Sequence, residues 1–534
     1  MFVSPVSRTE LPQKKAWDNL VVYDAGCFYA FFATGYDYGD GKGVAISMLD
    51  VARSGDGVHW EFIARDQCRV EGAHAGYGVK KIGAYVYYYP TCSDHGRTET
   101  VHFKIFRTKD FIDWEYLGTQ YDVYRDPRYY RERWEEMMIL DDVDADGRPV
   151  LYGYLSSENL PEYPPSAAML RSYDGIRWDV LPPVQIDWGE TPAQHGELNF
   201  VFKLDGRYYF SNTFRAYMDS YGFAAYTFVG DSPFGPFKPD LERFRLCGNS
   251  RREVTWFSHQ TPLPDGSLLA ALWLSHDRPP EIPSLSFAIG ALKRYVTRDG
   301  HLRLAYWEGT EAAKGTEVTD HAVEIVQPRE LAEHPRDALV AGAGALEISA
   351  DRNGVIALFC RAFDRERGFI VEGELTAWES RTAIETHHHA AAAGFYLEAT
   401  PGAGIAMLPD TLGVTRSGSL RYADRRITDR DAYAQIGLVQ ARAGVFDGTL
   451  AFDPEDTVGP FGHAAYCGIR HGRKHGFKLL ARGDYFELYI DGLYVQTYLL
   501  PEPQAGAKLL RVGVCVLDGK CRIENLRIFE MSFP

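Results

Sequence analysis

The feature that most constrains this chain is a pattern that returns five times within its first three hundred residues. A polar or acidic residue, an apolar run, a short glycine turn and an aromatic-rich run recur. The copies are WDNLVVYDAGCFYAFFATG (17–35), GYGVKKIGAYVYYYPT (76–91), EMMILDDVDADGRPVLYGYL (136–155), GELNFVFKLDGRYYFSNTF (196–214) and TWFSHQTPLPDGSLLAALWL (255–274). Each reads as a β-hairpin, because Asp-Gly or a similar pair turns the chain tightly between two strand-forming runs. A second strand, polar turn and aromatic follow in four of the copies: VARSGDGVHWEF (51–62), IFRTKDFIDWEYL (105–117), MLRSYDGIRWDVL (169–181) and FVGDSPFGPFKP (228–239). Four strands per unit and five units predict a five-bladed β-propeller. Unrelated hairpins in a large sandwich are the alternative, but they do not explain the even spacing of the hairpin starts.

Beyond residue 300 the pattern stops. The stretch 301–340 is charged and polar and reads as a linker, and strand-like runs resume near Ala345. ALEISA, GVIALFCRAF, FKLLARGDYFELYIDGLYVQTYLL and RIENLRIFEM alternate as the strands of an antiparallel β-sandwich do. The expected organisation is therefore all-β: a propeller over 1–300, a linker over 301–340 and a sandwich over 341–534. A length of 534 residues accommodates two such domains, since one core rarely grows past roughly 300 residues.

Composition narrows the function. The net charge of −16 is spread without a basic stripe, which excludes a nucleic-acid backbone as the expected partner. Aromatic residues make up 14%, and their flat apolar faces suit strands and also stack on sugar rings. No run of about 18 apolar residues marks a membrane helix, and the first residues lack a secretory h-region, so the expected compartment is the cytoplasm. Eight cysteines without CxxC spacing read as reduced core residues. Three successive histidines in ETHHHAAAAG (385–394) cannot all face one ion from regular structure, so a solvated loop is expected there. Neither a metal nor a cofactor is called for, and the oligomeric state is open, with a homo-oligomer among the options.

In a propeller the innermost strand of every blade lines the central channel, so blade-start residues converge. Those positions carry Asp18, His74, Glu136, Glu197 and His259 with Gln260. A single strand-start carboxylate can cap a turn at the propeller mouth. Three on separate blades argue for a shared use, because gathering like charges is costly. Glycoside hydrolysis supplies one: a carboxylic acid protonates the leaving oxygen while a carboxylate attacks the anomeric carbon or activates water.

Four segments then carry a resemblance. WFSHQTPLPDGSLLAALW (256–273), QPREL (327–331), FKLLARGDYFELYIDGLYVQTYLL (477–500) and GELNFVF (196–202) resemble, in order and spacing, segments of glycoside hydrolase family 32, the invertase, levanase and inulinase family. The resemblance implies Asp18 as nucleophile, Glu197 as general acid and base, and Glu136 as the carboxylate holding sugar hydroxyls near the transition state. The family's Asn-Asp-Pro-Asn-Gly stands here as AWDNL (16–20). Its Arg-Asp-Pro occurs literally at 125–127, which makes Asp126 a rival to Glu136, but RWEEMMIL (133–140) has the inner-strand context and is preferred.

Trp17, Trp134 and Trp256 beside the carboxylates are candidates to wall the sugar site, with core packing as the alternative. His74, Glu135, His195, His259 and Gln260 are candidates to bind substrate hydroxyls, although a histidine at a blade start is more often a hydrogen-bonded structural residue. The expected ligand is an oligosaccharide or small glycoside. Sister families of arabinanase and xylosidase type would use Asp18 as a base with inversion, and a transglycosylase or a non-catalytic carbohydrate-binding propeller are further alternatives.

Overall fold

A computed structural model describes residues 14–36, 46–93, 100–189, 193, 196–214, 224–241, 243, 245–248, 255–275, 287–326, 340–342, 345–350, 355–378, 393–400, 403–407, 420–422, 425–427, 472–483, 485–499, 507–516 and 519–533. The chain forms two units: 1–217 with 223–246 and 255–303, and 304–534 with the short stretches 218–222 and 247–254. Among the described residues no helix is long and apolar enough to cross a membrane.

All five hairpins form, each as the inner half of an antiparallel sheet. Blade one runs Lys14–Asp24, Cys27–Tyr36, Ile46–Ser54 and Glu61–Glu71. Blade two runs Ala73–Ile82, Tyr85–Cys92, Phe106–Thr108 and Glu115–Tyr116. Blade three runs Tyr130–Val143, Pro149–Asn159, Ala168–Ser172 and Asp179–Leu181. Blade four runs Glu197–Leu204, Arg207–Phe214, Ala224–Gly230 and Lys238–Pro239. Blade five runs Thr255–Pro262, Leu268–Ser275 and Lys293–Arg298, then turns at Asp299 and Gly300 into a strand starting at His301.

The innermost strands touch in cyclic order, one to two through to five and back to one, which makes the array a closed ring. Its seam is held by Thr261 Oγ1 donating to the Val21 carbonyl at 2.8 Å and by the Trp273 indole N–H donating to the Asn19 carbonyl at 2.5 Å. Between blades the packing is apolar. Leu20, Phe31 and Val51 of blade one meet Val86 and Tyr88 of blade two, while Tyr87 and Tyr89 meet Met137, Ile139 and Leu170 of blade three. Where blades two and three come closest, a Cβ on Gly78 would collide with the Met137 carbonyl, so the close approach itself requires glycine.

The repeated outer turn has a chemical reason. Ser54 Oγ accepts the Gly57 N–H at 2.8 Å, and Asp56 Oδ1 accepts the N–H groups of Val58 and His59 at 2.9 and 2.8 Å. Thr108 with Asp110, and Ser172 with Asp174, repeat the same bonds in blades two and three. The side chains stand in for the missing strand partners at the bend. Gly57 and Gly175 occupy the left-handed position of this turn at φ 73° and 74°, but blade two places Phe111 there at φ 67°. That conformation costs about 1 to 2 kcal/mol for a residue with a Cβ. Phe111 offsets it by burying its ring, stacked on Tyr29 at 3.7 Å, which contributes roughly 1.5 to 3 kcal/mol.

Among the described residues the second unit has two large antiparallel sheets and a small hairpin of Leu420–Tyr422 with Arg425–Ile427. One contains Lys314–Val318, Ala345–Ala350, Phe369–Trp378, Lys474–Arg482, Tyr485–Ile490, Leu493–Leu499 and Gly519–Met531. The other contains Val323–Val326, Val355–Phe359, Ala393–Thr400, Ala403–Met407 and Leu509–Val516. Alternate residues face one core: Phe369 and Val371, Phe477 and Leu479, then Phe395 and Leu397, Val512 and Val514. Phe395 meets Phe477 across it with ring centroids 4.6 Å apart.

Two expectations need correction. The stretch 301–340 is not a plain linker in its described part, because Lys314–Val318 pairs with Gly519–Met531 and Val323–Val326 pairs with Val355–Phe359. Its charges mislead: Glu317 faces outward and pairs with Arg527 at 2.9 Å, while Val318 fills the sandwich core. Nor are all cysteines core residues. Cys92, Cys247, Cys515 and Cys521 are buried, Cys27 and Cys68 are half-buried, and Cys360 is exposed. QPREL, Cys467 and the three histidines at 387–389 lie outside the described residues.

Candidate active site

Every innermost strand breaks register near its start. The breaks fall between Trp17 and Asn19, around His74, between Glu135 and Met138, between Leu198 and Phe200, and between Thr255 and Ser258. A bulge leaves a residue out of the ladder and re-aims its side chain. Asp18 and Glu136 are such residues, and both take left-handed backbone, φ 53° and 63°. Asp tolerates that region, whereas for Glu it costs about 1 to 3 kcal/mol, a strain of the kind that gathers at functional sites.

Around these bulges Glu136 of blade three and Glu197 of blade four meet at Arg133, and the charge of Asp18 on blade one is felt at Glu136. Arg133 is the cation of the cluster. Its Nη2 lies 3.0 Å from Glu197 Oε1 and 4.0 Å from Glu136 Oε2, and its Nε pairs with Glu135 Oε1. Three carboxylates, Glu135, Glu136 and Glu197, thus share one guanidinium. Burial pushes the Glu136 carboxyl well above its usual range, and the Glu197 charge adds to this against the pull of Arg133, with Glu135 and Asp18 raising it further. Glu136 and Asp18 are buried, at 8% and 6% exposure, while the Glu197 side chain is 31% open to solvent.

Ser156, on the second strand of blade three, donates its hydroxyl to Glu136 Oε2 and accepts the Leu198 N–H at 2.7 Å. Sequence reasoning missed both Arg133 and Ser156. Arg133 had a signal: on an extended strand it shares a face with Glu135, and a group of buried carboxylates calls for a cation. Ser156 had none, because it reaches the site through the cross-strand neighbourhood of Glu135.

The remaining candidates divide. Glu135 belongs to the cluster through Arg133. Asp126 does not: it sits in the turn before blade three, where Arg128 Nε binds its Oδ2 at 2.9 Å, so the literal Arg-Asp-Pro supplies no carboxylate here. Trp134 is a correction. It is 1% exposed, its indole N–H donates to the Val123 carbonyl at 3.2 Å, and it packs on Tyr130 with ring centroids 5.2 Å apart. Strand alternation turns it away from Arg133 and into the interface of blades two and three. Trp134→Ala is accordingly expected to lower unfolding free energy by about 3 to 5 kcal/mol in a denaturant titration, as for other buried aromatics.

His259 is also placed in packing. It is 2% exposed and lies on Trp273, with ring centroids 5.1 Å apart. Gln260 donates to the Val201 carbonyl at 3.1 Å and so braces blade five on blade four. Trp17, His74 and Trp256 fall on innermost strands, but their side chains lie outside the described residues, as does all of His195.

No protein-family model and no curated protein matches the chain. Solved structures do. Sucrose-6-phosphate hydrolase from Lactobacillus gasseri is similar at 13% identity and TM-score 0.60, over 97% of this chain and 92% of that one. The Bombyx mori GH32 beta-fructofuranosidase is similar at 11% and 0.62, over 99% and 93%. Fructan 1-exohydrolase IIa from Cichorium intybus is similar at 10% and 0.56, over 99% and 97%. With five sheets in a ring, two sheets in a second unit and these likenesses along both chains' length, the protein has the glycoside hydrolase family 32 fold, a five-bladed β-propeller followed by a β-sandwich, in a divergent sequence.

Proposed function

We propose that the chain is a glycoside hydrolase that cleaves a fructoside or related furanoside in an oligosaccharide or small glycoside. The observation that carries this reading is the meeting of Glu136 and Glu197, from separate blades, at Arg133, with the charge of Asp18 on a third blade acting on Glu136. Fructose-releasing enzymes among the similar structures support the substrate class.

Each role follows from environment. Glu197 is the most open of the three, so it can meet a leaving oxygen and exchange protons with water, as a general acid and base must. Asp18 is buried on a bulge that fixes its direction, which suits a nucleophile or a base aimed at one carbon. Glu136 sits beside both, in low dielectric, where a hydrogen bond to a sugar hydroxyl strengthens as charge develops at the anomeric centre.

The test is product analysis on sucrose, kestose, short levan- and inulin-type oligosaccharides and aryl furanosides. Free fructose or pentose is expected, and Glu197→Gln is expected to slow its release by roughly a hundredfold or more. Undiminished turnover in that variant rejects the assignment. Saturable binding without any product supports a carbohydrate-binding propeller instead, and elongated products support transglycosylation.

A further inference from the structure

The hydroxyl of Ser156 has one proton and is contacted from two blades. The Leu198 N–H, which has only a proton to give, occupies an acceptor position on Oγ at 2.7 Å. The Ser156 proton is therefore free to go to Glu136 Oε2, its other partner. Oε2 also faces the Arg133 guanidinium at 4.0 Å. Oε1 of Glu136 has no hydrogen-bond partner among the described residues, although the residue as a whole is more than nine-tenths buried.

We propose that Ser156 is a positioning residue: by binding Oε2 of Glu136 and the amide beside Glu197 at once, it turns Oε1 toward the bound sugar and locks blade three to blade four at the site. This deepens the glycosidase reading and rests on it. Ser156 is 2% exposed and sits beneath the carboxylate, so it touches no substrate itself. Its bond supports Glu136 in a left-handed conformation that a glutamate would otherwise leave readily. It also ties the direction of one carboxylate to the strand that carries another, so the two move as a unit.

A donated hydrogen bond favours the ionised form of a carboxylate. Removing it raises the protonation midpoint of Glu136, whose other charged neighbours are Arg133 and Glu135 on its own strand, Glu197 on blade four and Asp18 on blade one. Ser156→Ala is expected to lower kcat by about tenfold to a hundredfold with a smaller change in KM, as loss of alignment does. It should also move the limb of the pH–rate profile governed by Glu136 upward by about one unit. Ser156→Thr keeps the hydroxyl and should restore the wild-type limb.

The same shift is readable without turnover, as the carboxyl stretch of Glu136 in an infrared pH titration, assigned by its disappearance in Glu136→Gln. A wild-type protein inactive on every sugar sinks the enzymatic reading but leaves this titration to be read. Folded Ser156→Ala protein whose Glu136 titrates as in wild type overturns the positioning role. If Ser156→Ala fails to fold, the comparison passes to Ser156→Cys, whose weaker donor should give a smaller shift of the same sign, and no shift overturns the role equally.

Discussion

Asp18→Asn is expected to lower kcat by about a thousandfold or more while leaving the propeller folded, since it removes the group that attacks or activates the attacking water. The substitution separates chemistry from structure for a local reason. Asp18 occupies a left-handed backbone position at φ 53°, a region that Asn tolerates as well as Asp, so no strain is added. It stands outside the strand ladder, between the paired residues Trp17 and Asn19, so no register bond depends on its side chain. Removing its charge also takes one of the repulsions off Glu136. Steady-state kinetics on the best substrate, with a thermal melt beside it, checks both halves. Wild-type turnover in a folded Asp18→Asn protein removes Asp18 from the chemistry.

Acid sensitivity through His259 is the second large effect. Burial alone pushes its imidazole down from 6.5 to about 3, the residue being almost wholly enclosed with its ring against Trp273. In the unfolded chain the ring takes up its proton near pH 6.5, and in the folded chain only near pH 3, so between these values the unfolded state binds more protons. The stability this group contributes is complete above pH 6.5 and drains away as pH falls, by about 1.4 kcal/mol per unit, until the folded ring protonates near 3. The sum is roughly 5 kcal/mol, comparable with the whole stability of many domains. Carboxylates titrate in an overlapping range, so the measurement is the difference in unfolding free energy between wild type and His259→Phe across pH 4 to 8. A sloping difference below pH 6.5 is expected, whatever the constant offset from repacking. A flat difference means that the ring is hydrated in the folded protein.

The innermost strands show how much of the site was legible. RWEEMMIL has the apolar run of an inner strand, and Glu136 lies on that strand whereas Asp126 of the literal motif lies in the turn before it, bound by Arg128. The same strand also misled. Trp134 next to the carboxylates looks like a wall of the sugar site, but adjacent strand residues point to opposite faces, and the indole is interblade core. His259, for which a structural role was the commoner reading, lies in packing against Trp273, since a blade-start position says which strand a residue is on and not which side of it faces the channel.

The amino-acid sequence by itself determined the number of blades, the order of their strands and the chemistry of their turns. These depend on contacts between residues close along the chain: a hairpin, or a serine and an aspartate folding back on the next few amides. Only the tertiary structure decided that Arg133 would be the shared cation of Glu135, Glu136 and Glu197 and that Ser156 would link two of the blades. Those relations join side chains 64 positions apart, as for Arg133 and Glu197, and arise from the packing of neighbouring blades and local departures from register, which the repeat does not encode.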